Sequence, residues 1–210
     1  TVVAKPSEIT PMTAYLFSKI CKKAGLPDGV LNIVHGYGHK VGASMSKHPG
    51  IKAISFTGGT KTGETIARTA APLFKKLSLE LGGKNPNVIF ADCDFEKALK
   101  TTLLSSFSNQ GQICLCGSRI FIERPIYEKF KTAFVKAPEE LVVGDPNSPS
   151  SNLGALVSKE HLEKVLSYVE LAKKEGGKVL AGGKRVQLED ANCKNGNFMR
   201  PTVIEGLPYD

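Results

Sequence analysis

Short apolar runs alternate with helix-like segments over the first 80 residues, and glycine-rich turns join them. Four runs are typical of strands because apolar and β-branched residues dominate them: Thr1–Lys5, Val30–Val34, Ile51–Phe56 and Lys75–Leu81. The second is followed by GYGHKVG and the third by TGGTKTG. This alternation predicts an α/β fold with a mostly parallel sheet covered by helices. In such sheets, ligands bind at the carboxyl ends of the strands.

The helices of this region follow from apolar periodicity. The first is predicted to start near Pro11 and run to Gly25. Its apolar residues fall on one face: Ala14, Phe17, Ile20 and Cys21. A short helix ending at about Lys47 and a helix reaching Ala71 complete the pattern, and the strand Val30–Val34 between the first two is expected to be buried.

The pattern changes after Gly82-Gly83, where we place a domain boundary between residues 1–81 and 82–210. The second region mixes helices of good periodicity with strands, which predicts a second α/β domain. The predicted helices are Phe95–Ser108, Ile126–Lys136 and Lys159–Glu175, and the predicted strands are Asn87–Phe90, Ser118–Glu123, Lys178–Leu180 and Phe198–Ile204.

Composition excludes several classes of protein. The net charge of +8 comes from scattered lysines without interleaved aromatic residues, so we expect no nucleic-acid partner. No apolar run reaches about 18 residues, so no membrane span is predicted. An odd number of cysteines at irregular spacing argues against a disulfide framework and favours a reducing compartment such as the cytoplasm. They are Cys21, Cys93, Cys114, Cys116 and Cys193.

The segment FTGGTKTG is the better of two candidate anion-binding turns. It follows a strand and opens a helix, so the backbone N–H groups of Gly58 to Thr60 would face an anion. The other segment, GYGHKVG, has one residue too many between its second and third glycines for a dinucleotide-binding fingerprint. An ordinary turn remains the alternative for both.

Glu80 and Cys114 are candidate catalytic residues. Glu80 lies in the apolar run LSLEL, where partial desolvation would raise its pKa and suit it to general-base work. A strand-end glutamate that faces solvent is the alternative. Cys114 follows a predicted helix in NQGQICLCGSR, where a loop can expose a thiol. Cys-x-Cys without a further cysteine or histidine pair is poor evidence for a metal site, and a buried inert cysteine is the other alternative.

Taken together, these segments resemble the aldehyde dehydrogenase superfamily. The matches run in order along the whole chain and include VVAKPSEITP, ISFTGGTKTG, LSLELGGKNPNVIF, NQGQICLCGSR and FMRPTVI. The segment ICLCGSR, which lacks a triple cysteine, is most similar to the 2-aminomuconic and 2-hydroxymuconic semialdehyde dehydrogenases. The resemblance implies a Rossmann-like cofactor domain that includes residues 1–81, followed by a catalytic domain that includes residues 82–210.

The resemblance also implies roles for single residues. Cys114 matches the nucleophile that attacks an aldehyde, and Glu80 matches the general base. No role in the chemistry is implied for Cys116, which we expect to pack. The implied reaction is oxidation of the aldehyde to a carboxylic acid through a thiohemiacetal and a thioester on Cys114, without a metal.

NAD is the cofactor that the resemblance implies. Lys5 and Glu8 match the pair that holds the adenosine ribose, and a carboxylate at Glu8 would repel the 2′-phosphate of NADP. Gly58 and Gly59 match the turn beside the phosphates, although many relatives have serine where this chain has Gly59. A homo-oligomer, dimer or tetramer, is also implied for the full-length protein.

The chain is expected to be an internal fragment, because the family's oxyanion-hole asparagine and the segment contacting the nicotinamide ribose would lie outside it. In isolation it should therefore be inactive. Three alternatives stay open: an enzyme for betaine, retinal or aliphatic aldehydes, a cysteine acyltransferase or thioesterase, and a non-catalytic protein of the same fold.

Overall fold

The computed structural model describes residues 1–208. It divides into two compact units, one spanning residues 1–82 and the other beginning at residue 83. In the first unit the strands are β1 (Val2–Ala4), β2 (Leu31–Ile33), β3 (Ala53–Gly58) and β4 (Lys76–Leu81). Its helices are α1 (Met12–Lys23), α2 (Ala43–Lys47) and α3 (Thr60–Ala70), and a π-helical turn (Gly38–Gly42) precedes α2.

Both strand pairs of the first unit are parallel, as the α/β pattern predicts. β1 pairs with β2 across α1, and β3 pairs with β4 across α3. The strands form two separate two-stranded sheets rather than the single sheet we expected. Gly63 lets α3 lie close to β4, since a Cβ atom there would be 2.6 Å from Cδ2 of Leu81.

Burial in the first unit is lower than the sequence pattern indicates. β2 is half-buried throughout, so the expectation of a buried strand was wrong. In α1, Phe17 and Ile20 are 53% and 60% exposed. A two-stranded sheet offers a helix little area to cover, and Ala70 is the only buried apolar residue within residues 1–82, all of which the structure describes.

Over residues 83–208, the second unit has three α-helices and six strands. The helices are α4 (Phe95–Phe107), α5 (Tyr127–Lys136) and α6 (Lys159–Lys174). The strands are β5 (Pro86–Ile89), β6 (Arg119–Ile122), β7 (Lys178–Ala181), β8 (Arg185–Val186), β9 (Phe198–Met199) and β10 (Val203–Glu205). β5 and β6 are parallel, whereas β7 pairs with β10 and β8 with β9 in antiparallel fashion. Among the helices of residues 1–208, none is long and apolar enough to cross a membrane.

The predicted strand Phe198–Ile204 is wrong as a single element. The structure splits it into β9 and β10, which pair with different partners. Pro201 lies between them, and proline cannot donate a ladder hydrogen bond. The short strand β8, which pairs with β9, was not predicted.

An aromatic cluster forms the core beneath α4 and α5. Phe130 is fully buried, stacks on Phe134 with ring centroids 6.2 Å apart, and meets Phe95 edge-on at 5.6 Å. Phe107, the last residue of α4, stacks on Phe134 at 6.1 Å. Asp94 caps the start of α4 by accepting a hydrogen bond from the N–H of Lys97. At the other end of α4, the stacking of Phe107 on Phe134 fixes the point where the cysteine loop begins.

Candidate functional site

Lys5 and Glu8 form an ion pair just beyond the carboxyl end of β1. The Nζ atom of Lys5 donates to Oε2 of Glu8 at 3.2 Å, to the carbonyl of Gly36 at 3.0 Å and to that of Pro6 at 2.6 Å. The N–H of Gly38 donates to Oε1 of Glu8 at 3.2 Å. Since Gly36 and Gly38 follow β2, the pair joins the ends of two parallel strands.

The carboxylate of Glu8 is held in its ionised form. Hydrogen bonds from its own backbone N–H, from the N–H of Gly38 and from Lys5 lower the pKa of Glu8 to about 2. A carboxylate accepts and an ammonium donates, so the pair has the chemistry to bind two adjacent hydroxyl groups.

An open cleft of about 180 Å³ lies beside this pair. Its walls include Glu8, Pro11, His35 and Tyr37. A second cleft, of about 280 Å³, shares Pro11 and His35 and extends along Tyr15 of α1. Aromatic and proline surfaces of this kind suit a flat ring system. Sequence reasoning missed these lining residues, although the position of His35 and Tyr37 directly after β2 was the available signal.

The Gly58–Gly59 turn joins β3 to α3. Gly59 occupies the position before the helix and makes no side-chain capping bond, so the first N–H groups of α3 have no side-chain partner there. A Cβ atom on Gly58 would be 2.5 Å from the ring of Phe56, whereas one on Gly59 would meet nothing within 4 Å. A side chain at Gly58 would therefore require the ring of Phe56 to move, whereas the serine of many relatives would fit at Gly59 without displacing a neighbour.

Glu80 lies at the same end of the β3–β4 pair. In the parallel register, Thr57 is opposite Glu80 and Gly58 is opposite Leu81. The structure therefore brings Glu80 and the Gly58–Gly59 turn to one edge. Glu80 itself is exposed, so the expectation that its neighbours Leu79 and Leu81 would desolvate it was wrong: successive side chains of a strand point to opposite faces.

Cys114 is an exposed residue of a turn that follows α4. Before it come three consecutive residues with left-handed backbone, Asn109, Gln110 and Gly111, at φ values of 50°, 57° and 73°. Two of the three are not glycine, and such conformations cost free energy. Strain of this kind concentrates at functional sites, and here it directs the chain from α4 into the cysteine turn.

Two glutamines tie the beginning of the cysteine loop to the segment 153–158. Oε1 of Gln112 accepts a hydrogen bond from the N–H of Val157 at 3.1 Å. The amide of Gln110, in the orientation that satisfies its hydrogen bonds, accepts from the N–H of Gly154 at 2.7 Å. Sequence reasoning assigned these glutamines no role, because their partners are more than 40 positions away.

The end of the loop is tied to α4 at Gly117. The N–H of Gly117 donates to Oγ of Ser105 at 3.1 Å, and its carbonyl accepts from Oγ of Ser106 at 3.1 Å. Cys116 is 8% exposed, in agreement with a packing role. The loop is therefore held on both sides while Cys114 is exposed between them.

Cys114 belongs to the second unit, and the other predicted site residues belong to the first: Lys5, Glu8, Gly58, Gly59 and Glu80. All five cysteines are free. Within residues 1–208, no group of three or more histidine, cysteine or acidic residues lies close enough together to hold a metal ion.

Comparison with known proteins places the whole chain in one family. The model of the aldehyde dehydrogenase family matches residues 1–210. The mouse 2-aminomuconic semialdehyde dehydrogenase is 53% identical over 208 residues, which are 99% of this chain and 43% of the relative. The 2-hydroxymuconic semialdehyde dehydrogenase of Pseudomonas sp. (strain CF600) is 45% identical, with the same coverage of both chains.

A solved structure agrees with these relatives. The betaine aldehyde dehydrogenase of Staphylococcus aureus, solved in complex with NAD+, superimposes with a TM-score of 0.93 at 40% identity. The match covers 97% of this chain and 40% of that one. The chain thus spans less than half the length of these relatives. Since the family model matches every residue and the α/β fold agrees, the chain belongs to the aldehyde dehydrogenase family.

Proposed function

We propose that the full-length protein oxidises an aldehyde to a carboxylic acid with NAD+ as the hydride acceptor. The observation that carries the proposal is the exposed Cys114 on a loop that is held at both ends. Within residues 1–208, the backbone N–H of Cys114 donates no hydrogen bond, so it is free to stabilise a negatively charged oxygen. Membership of the family supports the reaction class.

The first unit supports NAD as the cofactor. We propose that Lys5 and Glu8 bind the two hydroxyls of the adenosine ribose and that the cleft lined by His35 and Tyr37 holds the adenine ring. The ionised Glu8 disfavours a 2′-phosphate because two negative charges would meet. The turn at Gly58–Gly59 offers backbone N–H groups and the positive end of a helix dipole to the phosphates.

In the proposed mechanism, the sulfur of Cys114 adds to the carbonyl carbon of the aldehyde and forms a tetrahedral thiohemiacetal. The N–H of Cys114 stabilises its oxyanion. Bound NAD+ supplies the hydride acceptor, so that Cys114 is left as a thioester. Glu80 then removes a proton from water, which attacks the thioester and releases the acid and the thiol.

Three substitutions in the full-length protein, one of them a control, test these roles. Cys114→Ala should abolish NADH production, whereas Cys116→Ala, two residues away and buried, should preserve it. Glu80→Gln should still release one NADH per active site in a rapid burst and then stop, because hydrolysis of the thioester is blocked. Near-wild-type NADH production by the Cys114→Ala variant would refute the assignment of Cys114 as the nucleophile.

We propose a muconic semialdehyde as the substrate, because the relatives named for it reach 53% identity. Betaine aldehyde is the second candidate, supported by the 40% identical structure, and retinal and aliphatic aldehydes are further alternatives. A panel of these aldehydes assayed with the full-length protein decides among them. A cysteine acyltransferase or thioesterase would turn over thioesters without NAD, so calorimetric titration with NAD+ separates that alternative.

The location, oligomeric state and domain organisation of the full-length protein are proposed on the same basis. We place the full-length protein in the cytoplasm as a dimer or tetramer without a membrane or nucleic-acid partner. The five free cysteines support a reducing compartment. Cell fractionation tests the location, and light scattering coupled to gel filtration tests the oligomeric state. We also propose that residues 1–81 form part of the NAD-binding domain and residues 82–210 part of the catalytic domain.

A further inference from the structure

The side chain of Asn85 spans the turn that carries Cys114. Its Nδ2 atom donates to the carbonyl of Cys114 at 2.6 Å and to the carbonyl of Cys116 at 3.1 Å. The backbone carbonyl of Asn85 accepts from the N–H of Arg119 at 3.1 Å, which anchors Asn85 beside the start of β6. One amide group therefore connects the chain before β5 to both ends of the Cys114–Cys116 segment.

Few other bonds hold this turn. The N–H of Cys116 donates to the carbonyl of Ile113 at 3.1 Å, and the carbonyl of Cys116 also accepts from Ser118 at 2.9 Å. Among residues 1–208, Asn85 is the only donor to the carbonyl of Cys114. Leu115, between the two carbonyls, is 80% exposed and contributes little packing.

Holding the carbonyl oxygen of Cys114 fixes the ψ angle of that residue. The ψ angle sets the direction of the side chain and of the N–H relative to the rest of the second unit. Without this bond, the peptide group between Cys114 and Leu115 could rotate, and the sulfur of Cys114 would move away from the position that the reaction needs. Displacements of about 1 Å at a reacting centre can cost about 10²-fold in rate.

We propose that Asn85 is a positioning residue, which holds the Cys114 turn through the two carbonyls and thereby aims the nucleophile. The kinetic consequence rests on the proposed dehydrogenase function. The mechanical consequence, a turn with a defined thiol orientation, does not depend on it.

The test replaces Asn85 in the full-length protein by Asp and by Leu. Both keep the branched shape and remove the donors, and Leu does so without adding charge. The matched control is Asn32, also half-buried, whose Nδ2 atom likewise donates to two backbone carbonyls, those of Val2 at 3.3 Å and Gly29 at 2.9 Å. Asn32→Asp and Asn32→Leu remove the same kind of bonds far from the cysteine in sequence.

Two readouts separate positioning from general stability. With the best aldehyde of the panel, both Asn85 variants should lower kcat by about 10²-fold while KM for NAD+ stays near the wild-type value. The rate at which iodoacetamide alkylates Cys114, followed by peptide mass spectrometry, should change, while that of Cys21 should not. The Asn32 variants should leave kcat and the Cys114 alkylation rate unchanged. Melting curves identify any variant that does not fold, in which case the other Asn85 variant decides.

Unchanged kcat and unchanged Cys114 alkylation in a folded Asn85→Leu variant would overturn the proposal, even if its melting temperature fell. A loss of kcat confined to Asn85→Asp would also overturn it, because charge rather than the lost donors would be the cause. If the wild-type protein oxidises no aldehyde, the proposed function fails, and the alkylation rates alone still decide whether Asn85 holds the turn.

Discussion

Gly117 allows the end of the cysteine loop to approach α4, and replacing it with alanine is expected to be costly. A Cβ atom there would be 2.7 Å from Oγ of Ser105 and 3.2 Å from Cβ of Asn87. Both distances are below the 3.5–4.0 Å typical of favourable contacts between heavy atoms. The backbone of Gly117 is not left-handed, so the penalty comes from the contacts alone.

The expected loss of unfolding free energy depends on how each neighbour can respond to the added Cβ atom. The hydroxyl of Ser105 can rotate away, but it then loses its bond to the N–H of Gly117, worth about 1 kcal/mol. Cβ of Asn87 belongs to β5 and cannot rotate away, so the backbone must shift. Together these effects predict that Gly117→Ala lowers the free energy of unfolding by about 2 kcal/mol, within the range for overpacking.

A double-mutant cycle isolates the contact with Ser105. Ser105→Ala alone should cost about 0.5–1 kcal/mol, because the N–H of Gly117 keeps its second acceptor, the carbonyl of Ser105 at 3.2 Å. In the double variant the 2.7 Å contact no longer exists, so the combined loss should be about 1 kcal/mol smaller than the sum of the single losses. Urea denaturation of the full-length protein, followed by circular dichroism, measures all three. Additive losses would refute the argument.

Three further predictions concern the core, the C-terminal strand and the ion pair between Lys5 and Glu8. Phe130→Ala should cost about 3–5 kcal/mol of unfolding free energy, while Phe74→Ala, at a side chain 94% exposed, should change it by less than about 0.5 kcal/mol in the same urea assay. Tyr127→Phe removes a hydrogen bond to Glu205 and should cost about 1 kcal/mol at pH 8. That bond raises the pKa of Tyr127, so its contribution is complete below about pH 10 and lost at higher pH, and the deficit of the variant should shrink there. The pKa of Glu8 is lowered from 4.5 to about 2. The stabilising contribution of Glu8 is therefore complete above pH 4.5 and is lost as the pH falls towards 2. Glu8→Gln should flatten the dependence of Tm on pH between these two values.

Strand and helix positions were predictable wherever local pattern decides the structure. The helix ending at Phe107 and the strand ending at Leu81 were placed within one residue, because apolar periodicity marks the helix and Gly82-Gly83 follows the strand. Sheet organisation was less predictable, since pairing depends on contacts between distant segments. Pro201 was visible in the sequence, but the separate partners of β9 and β10 were not.

The same distinction, between local sequence patterns and contacts of distant segments, applies to the candidate site. Motifs led to the prediction of Cys114 and Glu80 as catalytic residues, because residue type and order can be read in the sequence. The bonds that hold Cys114 in place were not predictable: Gln112 reaches Val157 across 45 positions and Asn85 reaches Cys114 across 29. A candidate nucleophile can thus be predicted from its own segment, whereas the hydrogen bonds that hold its loop come from polar side chains whose partners only the fold reveals. Asn85 is an example. In the sequence it is one polar residue among many, next to a proline. In the structure, its side-chain amide is the only donor to the Cys114 carbonyl among the residues described.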